Sequence, residues 1–328
     1  MLNLIIKRLL QACLVVWLMA TLVFFALHVI GSPVDILLSP DATERDRQQL
    51  IAELGLNLPL WQQYGLFLQG LLHGDLGRSY VFNQPALTLI LQRFPATLEL
   101  AVSATLLAII IALPLGLYAG LKPDSWLSKT IMAGSILGFS LPTFWAGLLL
   151  IMFFSVGLGW LPSGGRGEMK TFLGIQWSFL TSDGLRHLLL PAINLALFKT
   201  SLLLRLIRAG VREEMSANYM RLAKARGLSG LRITFVHLLK NIVIPLITVV
   251  GMEFGSIISF SVVTETIFAW PGMGKLIIDS INMLDRPVIV AYLMIIVTLI
   301  VVINLVVDLL SSLLNPRIRL NTGENAHG

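Results

Sequence analysis

Charge is scarce in this chain of 328 residues: Asp, Glu, Lys and Arg make up 13% of it, against 56% hydrophobic residues. Mean hydropathy is +0.82. An ordinary soluble domain carries about twice that charge, so a soluble fold is excluded and the chain reads as an integral membrane protein. Cysteine is nearly missing. Cys13 stands alone, which rules out an internal disulfide framework. Lys7 and Arg8 precede it with no apolar stretch upstream, so it reads as a small helix residue and not as a lipid-attachment site. No G-x-x-x-x-G-K-S/T phosphate loop occurs; PGMGKL, Pro271 to Leu276, lacks the magnesium-binding hydroxyl and a preceding strand. No His/Cys cluster offers a bare metal its ligands. His28, His73, His187, His237 and His327 fall at span ends, in loops or in the tail, which removes the serine–histidine pair of an intramembrane protease. No second half repeats the first, as it does in many secondary carriers.

Long apolar runs are abundant. Six can cross a bilayer, each needing about 20 residues: Leu9 to Ile30, Leu98 to Leu121, Thr130 to Leu158, Leu188 to Ile207, Ile242 to Val263 and Pro287 to Leu310. The expected fold is an all-α bundle of six transmembrane helices forming a single domain over 1–328. Pro114, Gly116 and Pro142 suggest kinks and close contacts, which membrane helices tolerate. With Lys7 and Arg8 placed inside the cell, the cytoplasmic segments hold 14 of the 24 lysines and arginines, as the positive-inside rule requires. Both termini are then cytoplasmic, with a tail over 315–328. The +6 net charge marks a membrane face, and no nucleic-acid partner is expected. Segment 31–95, which carries Asp35, Asp41, Glu44, Asp46, Glu53 and Asp75, forms an extracytoplasmic, periplasmic cap with two short helices, Thr43 to Leu54 and Leu60 to Leu72, split by Gly55 and Pro59. Asp75, Arg78 and Ser79 would order it.

The segment 208–241 breaks the apolar pattern. NYMRLAKARGLSGLRITFVHLLKNIVIP, Asn218 to Pro245, places Arg221, Lys224, Arg226, Arg232 and Lys240 in one cytoplasmic stretch. A helix runs to Arg226, Gly227 ends it in the left-handed conformation, and Ser229 caps a second helix. Its apolar face would comprise Leu228, Leu231, Phe235, Leu238, Leu239 and Ile242. With small Ala223 and Ala225 before the bend, this knob fits a protein pocket; basic amphipathic helices also simply lie on anionic lipid.

YMRLAKARGL (Tyr219 to Leu228) and HLLKNIVIP (His237 to Pro245) resemble the cytoplasmic loop of permease subunits of bacterial ATP-binding-cassette importers of the peptide, nickel and opine branch. FPATLEL (Phe94 to Leu100), ELGLNLPLWQQY (Glu53 to Tyr64), HGDLGRS (His73 to Ser79), TETIFAWPGMG (Thr264 to Gly274) and NLVVDLLSSLLNPRIR (Asn304 to Arg319) match in family order over nearly the whole chain. The loop's usual Glu-Ala-Ala is degenerate here, with Leu222, Ala223 and Lys224 in its neighbourhood. The resemblance implies the type I importer permease fold in the bacterial inner membrane. It implies a second homologous permease, two ATPase subunits that bind the ATP and magnesium, and a periplasmic solute-binding protein. This chain itself would hold no cofactor and catalyse nothing. Tyr219, Arg221, Ala223, Ala225, Arg226, Gly227 and Leu228 would form the coupling element. Peptide is the first substrate expected, with nickel or a metal chelate as the alternative. A self-assembling channel or secondary carrier is the rival class.

Two ionisable residues lie inside apolar spans, where a charge costs about 2.5–3.5 kcal/mol. Lys199 in the fourth and Glu253 in the fifth fall within roughly 5 Å of the same depth, so they can pair, with Glu253 facing the translocation path. A snorkelling Lys199 and a protonated, packed Glu253 are the alternative. Asn194 joins the candidate path residues or acts as interhelical glue. Asn304 and Asp308 share one face of the last span, where Asp308 would bond to a neighbouring helix or Arg317.

Overall fold

In hydrocarbon, backbone N–H and C=O groups find partners only within helices or closed barrels. The computed structural model, which describes residues 2–29, 34, 38 and 42–314, is accordingly helical. In chain order it has α1 (Leu2–Val29), α2 (Glu44–Glu53), α3 (Leu60–Leu72), α4 (Ala86–Leu121), α5 (Trp126–Ser140) and α6 (Thr143–Leu150), the last continued by π-helical turns over Ile151–Gly157. An antiparallel hairpin of β1 (Lys170–Phe172) and β2 (Ile175–Trp177) precedes α7 (Ser182–Ser216) and α8 (Asn218–Ala225). A short α9 (Gly230–Arg232) passes through a π-helical Ile233–Leu238 into α10 (Leu239–Phe260), followed by α11 (Val262–Ile267), α12 (Met273–Asn282) and α13 (Arg286–Leu314). The tail after Asn315 with Arg317, and Asp35 and Asp41 of the cap, lie outside the described residues.

Five stretches are long and apolar enough to cross a membrane unaided: Ile6–Ala26, Ala86–Leu121, Ser182–Ser216, Gly230–Phe260 and Arg286–Ser311. The third crossing expected over Thr130 to Leu158, with a kink suggested at Pro142, is broken there into two helices. Trp126–Ser140 and Thr143–Gly157 qualify only as a pair bent by 107°. Pro142 has no N–H to continue the ladder and disfavours helical geometry in the residue before it. Leu141 is accordingly extended, at φ −80° and ψ 129°. The hairpin is not legible in the sequence either, since two three-residue strands give period-2 alternation too little length to register.

Two compact units can be told apart, Met1–Pro95 with Gly272–Val302, and Ala96–Pro271 with Ile303–Gly328. In the first, the expected short helices are present. Thr43 and Asp46 form a reciprocal capping box at the start of α2, and Gly55 at φ +65° with Pro59 separates α2 from α3. α3 packs on α1: Tyr64 and Thr21 share a hydrogen bond of 2.7 Å, and Phe24 lies edge-on to Tyr64. Ala20, Val23, Val290 and Met294 make the core, with Phe67, Leu68 and Leu71 packed against it. Asp75 accepts from Gly77 N at 2.9 Å. Ser79 Oγ donates to the fully buried Asp285, whose other oxygen accepts from Tyr80 N at 3.1 Å.

In the second unit α7 is the spine. Gly116 and Gly120 of α4 let that helix come so near α7 that a Cβ added at Gly120 would lie 2.5 Å from Val211 Cβ. Overpacking of this kind costs about 1–3 kcal/mol. Gly120→Ala should therefore lower the unfolding temperature of the purified protein in scanning fluorimetry. Gly134→Ala, where an added Cβ meets nothing within 4 Å, should not. The stretches FPATLEL and TETIFAWPGMG meet here: Thr97 Oγ1 donates to the buried Glu265 at 2.7 Å and Trp270 Nε1 to Ala96 O at 2.9 Å.

Candidate functional site

The elbow is built by local rules. Ala217 is extended at ψ 146° and ends α7, after which α8 starts in a new direction. Met220 and Ala223 face inward and are buried, whereas Arg221, Leu222, Ala225 and Arg226 are exposed. Gly227 sits at φ +74°, and Leu228 N donates to Ala223 O at 3.3 Å, the six-to-one bond of a glycine-terminated helix. Nothing lies within 4 Å of a Cβ added there, so glycine is required for its backbone conformation and not for space. Ser229 caps the next turn by accepting from Arg232 N at 3.4 Å.

One expectation is corrected. The proposed apolar face holds in part only: Leu238 and Ile242 are buried, but Leu231 and Phe235 are among the most exposed apolar residues, at 73% and 59%. The π-helical Ile233–Leu238 explains this, because its wider turn rotates everything before it relative to α10. Ile233 takes the inward position that a regular α-helix would have given to Leu231 or Phe235.

Tyr219 is at the surface, 40% exposed, but its hydroxyl is engaged within the chain. Its hydroxyl donates to Glu214 near the end of α7 and accepts from Asn241 Nδ2 on α10 at 2.7 Å; Asn241 also donates to Glu214 at 3.2 Å. Burial, followed by the bond to Glu214, raises the phenol pKa above its ordinary value, which keeps Tyr219 a donor. Three elements are thus tied at one point. No sequence pattern singles out Glu214 or Asn241, since a polar residue just past an apolar span carries no distinguishing mark.

The same two long helices meet again deeper in the chain. Lys199 Nζ of α7 makes an ion pair with Glu253 of α10 and donates to Ser256 Oγ at 2.9 Å. The side chains are 13% and 24% exposed, so the pair is not sealed in a core. Phe198 stacks on Phe139 at 4.5 Å, and Arg205 covers the Phe139 ring at 4.3 Å, which adds an aromatic, cationic side to the neighbourhood. Asn194 is buried at 1% and donates to Thr264 Oγ1 at 2.9 Å, an interhelical bond between α7 and α11.

A buried ionic site leaves no signal in the sequence because its partners are far apart along the chain. Glu99 receives two bonds from Arg166, at 3.1 and 2.7 Å, and the backbone N–H groups of Ser178 and Phe179, at 2.7 and 2.8 Å. It fixes the segment around the hairpin to α4.

With this geometry in place, comparison with known proteins decides the family. A family model described as binding-protein-dependent transport system inner membrane component matches residues 112–320, and its N-terminal companion matches residues 1–101. The chain belongs to this family. Its curated relatives include the di/tripeptide transport system permease protein DppB of Pseudomonas aeruginosa, 40% identical over 316 residues, 91% of this chain and 94% of that one. They also include the dipeptide transport system permease protein DppB of Haemophilus influenzae, 41% identical over 314 residues with the same coverages. The oligopeptide transport system permease protein AppB of Bacillus subtilis is 39% identical over 289 residues, 88% and 90% of the two chains. Among solved structures, the inward-facing MetNI methionine ABC transporter is similar, with a TM-score of 0.54 at 15% identity over 69% of this chain and 96% of that one. That likeness supports the expected type I importer permease fold. This binding-protein-dependent transport component is a multi-pass inner-membrane permease and not an enzyme, and membership implies ATPase and substrate-binding partners.

Proposed function

We propose that the chain, paired with a second homologous permease, forms the translocation path for di- and oligopeptides in an importer driven by two ATPase subunits. Those subunits bind the ATP and magnesium, and a periplasmic solute-binding protein delivers the peptide. Both termini and the elbow face the cytosol and the segment 31–95 lies on the periplasmic side of the membrane, in keeping with the distribution of lysine and arginine. The observation that carries the mechanism is the elbow itself: a glycine-hinged knob presenting Arg221, Leu222, Ala225 and Arg226, tied through Tyr219 to α7 and α10. Closure of the ATPases on nucleotide pushes the knob, and the two helices convey the push to the membrane as a rigid-body motion. Glu253 borders the path. Lys199 neutralises it at rest, and a peptide's amino group competes for the carboxylate.

Peptide as substrate follows the curated relatives, whose names specify di/tripeptides, dipeptides and oligopeptides. These names favour peptide over nickel. Uptake of a labelled dipeptide and of radioactive nickel by a strain lacking this chain decides the matter. The expected result is loss of dipeptide uptake with nickel uptake unchanged; the reverse would overturn the proposal.

A further inference from the structure

We infer that α3 is a membrane-embedded helix, lying in the bilayer leaflet at the carboxyl end of α1 with its outer face against lipid acyl chains, and is not part of an aqueous cap. Depth supports this first. Tyr64 bonds to Thr21, and Thr21 is five residues inside the apolar stretch Ile6–Ala26, about 8 Å below its end at 1.5 Å per residue. α3 therefore packs beside the part of α1 that the hydrocarbon surrounds.

Composition agrees. From Leu54 to Leu72 the chain carries no Asp, Glu, Lys or Arg. α2, immediately before, carries Glu44, Arg45, Asp46, Arg47 and Glu53, all exposed, and belongs in water. α3 nevertheless exposes Leu60 at 55%, Trp61 at 71%, Leu66 at 55% and Leu72 at 87%, with Gln69 the one exposed polar side chain among them; Leu66 also borders a cavity lined by Phe24 and Arg286. Residues of this size facing water would form the kind of apolar patch that soluble surfaces avoid. α1, which crosses the membrane, likewise exposes Leu14, Leu18, Leu22 and Phe25.

The backbone leading into α3 is also prepared for a low dielectric, in which each unpaired polar group costs several kcal/mol. Leu54, Gly55, Leu56 and Leu58 each donate their N–H to a nearby carbonyl. Gln63 Nε2 covers the carbonyls of Leu56 and Leu58 at 3.3 and 2.8 Å. After α3, His73, Asp75 and Arg78 mark the return to the interface.

The test uses the complete transporter in lipid nanodiscs. In a Cys13→Ser background, spin labels are attached at Leu66→Cys and Leu72→Cys, with Leu22→Cys as the lipid reference and Arg47→Cys as the aqueous one. The expected result is that both α3 labels match Leu22→Cys, relaxed by oxygen and sparingly by a water-soluble nickel chelate. Matching Arg47→Cys, or shielding from both agents by another protein surface, would overturn the inference. If the labelled chains do not assemble, the difference in fluorescence between the parent and Trp61→Phe gives the same answer: brominated lipid should quench the Trp61 contribution, and unquenched emission would overturn the inference.

Discussion

Reversing the charge of either member of the intramembrane pair, by Lys199→Glu or Glu253→Lys, should lower the yield of assembled transporter by 100-fold or more, and exchanging both should restore most of it. Each single change leaves two like charges facing one another at a depth where even one unpaired charge costs about 2.5–3.5 kcal/mol. Removing the partner of a buried ion costs about 3–5 kcal/mol, and about 1.4 kcal/mol is a factor of ten. The exchange keeps one cation and one anion in contact, and Ser256, which now accepts from Lys199, can instead donate to a carboxylate at position 199. The measurement is the amount of the chain that co-purifies with its partners from membranes expressing equal total protein. If the exchanged pair assembled no better than the single variants, mutual neutralisation would not be what holds Lys199 and Glu253 in the membrane. Transport separates the pair's two roles: a peptide amino group that binds Glu253 should be repelled by Glu253→Lys, so the exchanged complex should assemble and still import dipeptides poorly.

The second large effect concerns the hinge. Gly227→Arg should leave the complex assembled but reduce peptide-stimulated ATP hydrolysis and dipeptide uptake by at least tenfold. A Cβ added at that position meets nothing within 4 Å and the neighbouring Arg226 is exposed, so the side chain can extend from the surface without disrupting the folded chain. The left-handed backbone, φ +74°, costs a side-chain-bearing residue about 1–2 kcal/mol, which favours straightening of the bend. Another long cation beside Arg221, Lys224 and Arg226 would also change the shape and charge of the knob proposed to enter an ATPase. Asparagine tolerates positive φ better than most residues, so Gly227→Asn should retain much more coupling than Gly227→Arg. Parental coupling in Gly227→Arg would refute the assignment of this elbow as the coupling element.

Several parts of this architecture are legible in the amino-acid sequence alone. The helices on either side of Gly55 and Pro59, the bend at Gly227, the Ser229 cap and the pairing of Lys199 with Glu253 follow from turn chemistry, capping and the cost of charge in hydrocarbon, which act within a few residues or along one axis. What is not legible depends on longer range or on departures from regular periods. The π-helical Ile233–Leu238 shifts the buried face from Leu231 and Phe235 to Ile233 and Leu238, and a 3.6-residue period has no means of anticipating it. Pro142 marks a kink, but the size of the bend, 107°, depends on how the two halves pack. Asn194 reads alike on a sequence whether it faces an opening or a neighbouring helix, and its bond to Thr264 leaves no mark there. Glu99 and Arg166, 67 residues apart, carry no local mark of their partnership.

The Tyr219 junction has a mechanical corollary. Glu214 and Asn241 join α7 to α10 at one level, and Lys199 and Glu253 join them at another, 15 residues along one helix and 12 along the other, or about 22 and 18 Å. Two rods pinned at two points behave as a ladder with two rungs: displacing one end either carries the other along or breaks a rung. α7 has no proline between its rungs, whereas α10 carries Pro245 between them, where the missing N–H lets a helix bend, so a push at the proposed coupling elbow would reach Glu253 chiefly along α7, and a molecule that prises one rung apart would loosen the other.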